Sequence, residues 1–284
     1  MDLARTVDEL KSALNRTRVA GGRTGFVPTM GALHEGHGAL MDLAKKQVDT
    51  LVCSVFVNPL QFHKEEDLRK YPRTESKDLE FMEQRGVDLA FVPTYEEIFP
   101  VDYLLPTYDL GDLDKVLEGA FRPGHFQGVA RVVGRLLDLL ACQGLYMGLK
   151  DYQQCLVVER LLQLRGQGQA GPDLIKVETV REASGLALSS RNLLLNPEQL
   201  DRARGIGRTW TWMKKQWGSC SPEELVNQAL NRLSDQGLRH EYMALVQDGS
   251  LQPWTAVPEG TGPRVLYAGW LDGVRLIDNE RLGP

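Results

Sequence analysis

Through the first 180 residues, short runs of β-forming residues alternate with segments of helical period, and this alternation constrains the fold more than any other feature. Residues 24–29, 50–57 (TLVCSVFV), 87–92 and 144–147 are short, apolar and almost uncharged, as strands covered on both faces must be. Between them, residues 40–46, 77–85, 129–140 and 152–165 carry helical patterns, and Thr6 with Glu9 forms a capping-box signal for an earlier helix. Strand and helix in strict alternation predict a doubly wound, Rossmann-like α/β sheet of parallel strands. Ligands of such sheets sit at the carboxyl ends of the strands, so the strand-to-helix junctions are where chemistry is sought.

The last third reads differently. All five tryptophans lie beyond residue 209, and the stretch GQGQAGP (166–172) interrupts the helical pattern before a further strand-like run at 174–180. Asn196-Pro197-Glu198-Gln199 and Ser221-Pro222-Glu223-Glu224 each place a capping residue before a helix-opening proline, with Gln or Glu three residues on. Two more strand candidates follow at 242–246 and 264–269. The expectation is two domains, 1–179 as a Rossmann-like nucleotide- and substrate-binding domain and 180–284 as a smaller α+β lid.

Composition narrows the function classes. Lys and Arg total 33 against 38 Asp and Glu, a formal charge of −5, so no general field attracts nucleic acid. No apolar run approaches the ~18 residues of a membrane span, and the acidic start MDLARTVDEL resembles no leader. A cytoplasmic protein without membrane or nucleic-acid partners is expected. Cys53, Cys142, Cys155 and Cys220 lack C-x-x-C spacing and read as free thiols.

Four segments carry donors and cations, three of them at strand-to-helix junctions and the fourth a possible lid from the second domain. Pro28-Thr29-Met30-Gly31-Ala32-Leu33-His34-Glu35-Gly36-His37 follows the first buried strand and opens a helix, whose unpaired N–H groups attract phosphate. His34 and His37 would project from one side of its first turn. Alternatively the histidines decorate a helix start, or H-x-x-H supplies two metal ligands. Phe56-Val57-Asn58-Pro59-Leu60-Gln61-Phe62 ends the next strand with two amides able to donate and accept. Gly148-Leu149-Lys150-Asp151-Tyr152-Gln153-Gln154 brings a cation to a third strand end, and Ser189-Ser190-Arg191-Asn192 offers hydroxyls beside a guanidinium fork. Residues 121–129 (FRPGHFQGV) read as a binding loop or a structured connection. Neither G-x-x-x-x-G-K-[ST] nor G-x-G-x-x-G occurs, and no Ser-His-Asp order or paired carboxylates stand at these junctions. The set favours phosphate chemistry on a nucleotide.

In this order, PTMGALHEGH, FVNPLQF, YPRT, FRPGHFQGV, KDYQQ and GLALSSRN resemble the pantothenate synthetase family, the pantoate–β-alanine ligases of the nucleotidyltransferase superfamily, from about residue 24 to residue 279. The resemblance implies a homodimeric ligase that joins pantoate to β-alanine through a pantoyl adenylate, using ATP and Mg²⁺. It implies ATP contacts from Met30, Gly31, Ala32, Leu33, His34, Glu35, Gly36 and His37. Further ATP contacts are implied for Gly148, Leu149, Lys150, Asp151, Val180, Leu188, Ser189, Ser190 and Arg191. His34, His37, Lys150 and Arg191 would carry the catalysis, Gln61 and Gln154 would bind pantoate and β-alanine, and Asp78 matches a position linked to Mg²⁺. The chain departs from the family pattern at Gly38, Lys77, Leu149 and Ala183-Ser184. Other readings are a different adenylyl- or cytidylyltransferase and a non-catalytic nucleotide-binding subunit.

Overall fold

The structure is a computed structural model describing residues 1–17, 21–63, 65–166, 171–254 and 262–283. It divides into two compact units, one of Met1–Leu149 with Gln154–Glu178, the other of Thr179–Pro284 together with Lys150–Gln153.

The first unit is built on six parallel strands: β1 (Asp2–Ala4), β2 (Thr24–Thr29), β3 (Thr50–Val55), β4 (Leu89–Phe91), β5 (Gly144–Gly148) and β6 (Asp173–Val177). They lie in the order β1-β4-β3-β2-β5-β6, with Phe26 opposite Val52 and Gly25 opposite Gly144. From β2 the chain adds β3 and β4 on one side and then crosses to add β5 on the other. The sheet therefore reverses its winding between β2 and β5, where the carboxyl strand ends splay. Both faces are covered. Phe26 and Val52 belong to one hydrophobic cluster, with Leu136, Leu137 and Leu140 of the helix His125–Leu140. Val27, Leu51 and Cys53 belong to another, with Met41 of Glu35–Lys45 and Met82 of Glu75–Gln84. Adjacent residues on one strand thus enter opposite cores, which is why the runs read as uninterrupted apolar sequence.

The doubly wound sheet is as expected, with shorter strands: β3 stops at Val55 and β4 covers only Leu89–Phe91. The edge strand β1 is not visible in the sequence, because three residues carry no period. The Thr6–Glu9 box forms as read, each backbone N–H meeting the other residue's side-chain oxygen at 3.2 Å.

The second unit is an antiparallel sheet of β7 (Arg239–Val246), β8 (Arg264–Leu271) and β9 (Val274–Arg281), with β8 in the middle. Its core joins Trp210 and Met213 of the helix Gly205–Gln216, Leu225 and Leu233 of Pro222–Ser234, and Tyr267, Leu271 and Leu276 of the sheet. Asn196 and Ser221 cap their helices as the sequence predicts, each accepting an N–H from the residue three positions on. Of the tryptophans, Trp210 is a core residue, 2% exposed, with its indole N–H on Asp278 at 2.9 Å. Cys53, Cys142 and Cys155 are buried and Cys220 is half-buried, and none of the four is in a disulfide.

One backbone approach in this unit tolerates no side chain. Gly185 adopts φ +86°, and a Cβ added to Gly207 would lie 2.3 Å from the Gly185 carbonyl carbon. Ala in place of Gly within an open helix stabilises by about 0.5–1 kcal/mol. Here the overlap reverses the sign, and Gly207→Ala is expected to lower stability by roughly 1–3 kcal/mol in a denaturant titration. Unchanged or increased stability would show that the helix and the turn can separate at no cost.

Candidate active site

The segment after β2 is shaped from below by one carboxylate. Asp78, on the helix Glu75–Gln84, is 2% exposed and accepts the backbone N–H of Ala32 at 3.0 Å and of Leu33 at 2.8 Å. The Thr74 hydroxyl lies 3.2 Å from both of its oxygens. The turn it holds is sharp: Gly31 has φ +80° and Ala32 φ +50°, the latter a conformation costing a non-glycine residue about 1–2 kcal/mol. Two charge-assisted bonds of roughly 1.5–3 kcal/mol each outweigh that strain. The positive φ favours glycine at position 31, and an added Cβ would also crowd the Asp78 Oδ2 at 3.0 Å.

The turn delivers His34 to the helix start as its capping residue. The His34 Nδ1 accepts the Gly36 N–H at 3.1 Å, the His37 Nδ1 accepts the His34 N–H at 3.3 Å, and the ring centroids are 4.2 Å apart. A ring nitrogen that accepts a backbone N–H carries no proton, so each neutral imidazole bears its proton on Nε2. The helix start thereby fixes both histidines as Nε2–H donors. Glu35, by contrast, is turned to Arg85, 2.5 Å away. The guanidinium of Arg85 also bonds Asp42 at 2.6 Å, and a Cβ on Gly38 would meet it at 2.8 Å. A larger residue at position 38 would displace the Arg85 guanidinium, the mobile end of a long side chain.

Beyond β3, Gln61 rests on a platform made by FRPGHFQGV. Asn58 donates to the Gln61 Oε1 and to the Gly128 carbonyl, both at 3.1 Å, and the Gln61 amide nitrogen lies 3.0 Å from the Met30 sulfur. The His125 Nδ1 lies 2.7 Å from the Gln61 carbonyl, which can only accept, so this nitrogen is the donor. Arg122 donates to the same carbonyl at 3.3 Å. A Cβ on Gly128 would be 2.2 Å from the Leu60 carbonyl oxygen, so the contact exists only because the residue is glycine. Sequence reasoning left this motif open between binding loop and connection. Within the first unit it supports the strand exit that carries Gln61. Gln154 is half-buried near the start of the helix Tyr152–Arg165, and Gly148 borders open space, with nothing within 4 Å of an added Cβ.

In the second unit, Lys150, Ser189, Arg191 and Asn192 line one recess with Arg275 and Asp278. Ser189 caps the short turn Ser190–Leu194, its hydroxyl accepting the Arg191 N–H at 3.2 Å. The Leu188 N–H bonds the Val180 carbonyl at 3.0 Å, which fixes these two residues to each other. Arg275 is taken by Glu241 at 2.6 Å, and Asp278 by Arg181 at 2.7 Å. The nearest carboxylate to the Lys150 ammonium is Asp151 at 3.9 Å, and Arg191 has no ion pair among the described residues. Lys150 and Arg191 thus share one recess as candidate partners for an anion, the lysine with Asp151 at the limit of ion-pair distance. Of the expected residues, the structure thus gathers Met30–His37 and Gln61 on the first unit and Lys150, Ser189 and Arg191 on the second.

Among the described residues no three His, Cys, Asp or Glu side chains converge, and both oxygens of Asp78 are engaged by Ala32, Leu33 and Thr74.

The winding reversal, with histidine donors at the helix start beside it, and the separate antiparallel unit define a doubly wound α/β protein with candidate anion-binding donors on each of its two units. The profile of the family described as pantoate-beta-alanine ligase matches residues 2–281. Pantothenate synthetase of Thermus thermophilus is 42% identical over 98% of this chain and 98% of its own length. That of Aquifex aeolicus is 38% identical over 99% and 98%. A crystal structure of the Thermus thermophilus enzyme superimposes with a TM-score of 0.91 at 41% identity, covering 100% of both chains. Pantoate-beta-alanine ligase from Francisella tularensis, complexed with beta-gamma ATP and beta-alanine, superimposes at 0.82 with 32% identity, covering 99% and 97%. The chain belongs to the pantoate–β-alanine ligase family.

The sequence signal for the Asp78 clasp is slight, a YPRT turn followed by a helix with an acid in its first turn. The carboxylate's two backbone partners separate its roles experimentally. Asp78→Asn, which removes the charge and turns one acceptor into a donor, is expected to raise the KM for ATP about tenfold or more. The dependence of rate on Mg²⁺ at saturating ATP should match wild type. A requirement for about tenfold more Mg²⁺ would make Asp78 a metal ligand instead.

Proposed function

We propose that the protein condenses pantoate with β-alanine at the expense of ATP, releasing AMP and pyrophosphate. The observation that carries this is the pair of imidazoles held as Nε2–H donors at a helix start. Full-length similarity to ligases of this reaction supports it.

In the first step a carboxylate oxygen of pantoate attacks the α-phosphorus in line. The new bond forms an acyl–phosphate anhydride, and the bond to the β-phosphate bridging oxygen breaks to release pyrophosphate. Two anions meet and a polyanion leaves, so the protein's task is positioning and charge stabilisation, with no nucleophile of its own. His34 and His37 donate to phosphate oxygens. Lys150 and Arg191 hold charge on the phosphates, with the Ser189 and Ser190 hydroxyls beside them. Gln61 and Gln154, which both donate and accept, suit the hydroxyl and carboxylate groups of pantoate.

In the second step the β-alanine amine attacks the acyl carbon, the acyl–oxygen bond breaks, AMP leaves, and the amine loses a proton. Mg²⁺ belongs to this reading as a partner of the ATP phosphates, neutralising charge there, and so as part of the substrate. The reading also takes the enzyme to be a cytoplasmic homodimer, on the family resemblance. Among the described residues no helix is long and apolar enough to cross a membrane.

His37→Ala and Lys150→Ala should each fold and lose about 10²- to 10³-fold in pantoate-dependent pyrophosphate release, the usual effect of deleting one well-placed donor. A rate within about threefold of wild type would take that residue out of the reaction. Arg191→Ala should slow the first half-reaction in single turnover, and an unchanged rate would place the guanidinium elsewhere. Pyrophosphate release with no AMP formed on adding β-alanine would favour a simple nucleotidyltransferase.

A further inference from the structure

Lys150–Gln153 follows β5 in the chain yet packs with the second unit, while Gly148–Leu149 before it and Gln154 after it belong to the first. Four side chains account for this. Asn279, on β9 and 3% exposed, donates its amide N–H to the Lys150 carbonyl at 2.9 Å. Its Oδ1 accepts from Arg264 at 2.7 Å. Arg264, on β8 and 8% exposed, donates to Asp248 at 2.8 Å and lies over the ring of Tyr152, 4.5 Å from its centroid. The Tyr152 hydroxyl donates to the same Asp248 oxygen at 3.0 Å and accepts the Gly249 N–H at 2.6 Å.

The set is closed around the strap. Asn279 grips the main chain at Lys150, Arg264 and Asp248 grip the ring and hydroxyl two residues on, and Arg264 links the grips. Burial pushes the Tyr152 hydroxyl up to about 12, so it remains a donor throughout the neutral range. The network leaves the Lys150 ammonium to the recess it shares with Arg191 and fixes only its backbone. A lysine side chain with four rotatable bonds loses rotamer entropy when it is ordered. An anchored backbone limits how much further freedom must be lost on binding phosphate.

We propose that Asn279 is a positioning residue for Lys150, acting with Arg264 and the Tyr152–Asp248 pair to make the lysine part of the second unit's phosphate-binding recess. The inference rests on the reading that Lys150 binds the ATP phosphates. It also gives the tyrosine of KDYQQ a task that the reaction itself does not require.

A double-mutant cycle on single-turnover adenylate formation tests it, using the full chain, ATP, Mg²⁺ and pantoate. Asn279→Ala in the wild-type background is expected to slow the step about tenfold or more, chiefly in rate and less in the KM for ATP. In the Lys150→Ala background the same change should cost less than about twofold, because a positioning residue has nothing left to position. A purely structural role would give the same loss in both backgrounds, and that additivity would overturn the proposal. So would a near-wild-type rate for Asn279→Ala alongside a crippled Lys150→Ala. A near-wild-type Lys150→Ala would instead refute the assignment of the lysine itself. Should Asn279→Ala fail to fold, Tyr152→Phe carries the same cycle, since it keeps the ring under Arg264 and removes only the bonds to Asp248 and Gly249. Its loss should likewise vanish in the Lys150→Ala background, and an additive loss would overturn the proposal.

Discussion

A helix cannot begin without acceptors for its first N–H groups, and in the helix Glu35–Lys45 two imidazole nitrogens meet that need. The same bonds that start the helix decide which nitrogen of each ring keeps its proton. Folding and chemistry are coupled here at the level of a tautomer: a helix started by Ser or Asp would be as well capped and would offer no imidazole donor. Everything upstream serves to place those rings. β2 is pinned between β3 and β5, Thr29 bonds across to Ser54 at 2.6 Å, and Asp78 bends the chain so that His34 arrives at the capping position.

The remaining candidate groups follow one pattern, in which hydrogen bonds from other side chains fix the backbone that carries each of them. Gln61 sits on carbonyl contacts from His125 and Arg122, Arg191 on a serine-capped turn, and Lys150 on the Asn279 amide. In each case the support is a buried or half-buried polar group with its hydrogen bonds made, which is the condition for such a group to hold its neighbour in place. The family departures are consistent with this division of labour. Gly38 lies beside Arg85, which ties Glu35 and Asp42 together, and Ser184 bonds Glu182 at 3.1 Å, which also receives Arg204. Neither change touches His34, His37, Gln61, Lys150 or Arg191.

Much of this was legible in the sequence, because burial on both faces leaves an unmistakable run such as TLVCSVFV, and because Asn-Pro-Glu-Gln and Ser-Pro-Glu-Glu write helix starts in local chemistry. Strand ends were less legible: Phe56 and Val57 are as apolar as the strand they follow, yet the chain leaves the sheet at Val55 to place Asn58. The histidines were readable as a pair on one helical turn, but their protonation was not, since it depends on backbone N–H groups that only the folded turn presents. Asp78 reads as a solvated acid on a helix and is instead a buried clasp 46 residues from its partner Ala32. The bonds to Lys150 were least legible of all, because Asn279 lies 129 residues away in sequence and no periodicity joins them.

The most direct test is the proton itself. Long-range ¹H–¹⁵N NMR of imidazole-labelled protein, with the two rings assigned by single substitution, reports which nitrogen carries it. With a non-hydrolysable ATP analogue bound, His34 and His37 should each show an unprotonated Nδ1 and a protonated Nε2. A proton on Nδ1 of either ring would mean that the ring does not accept the backbone bond, and that the helix start does not set the donors.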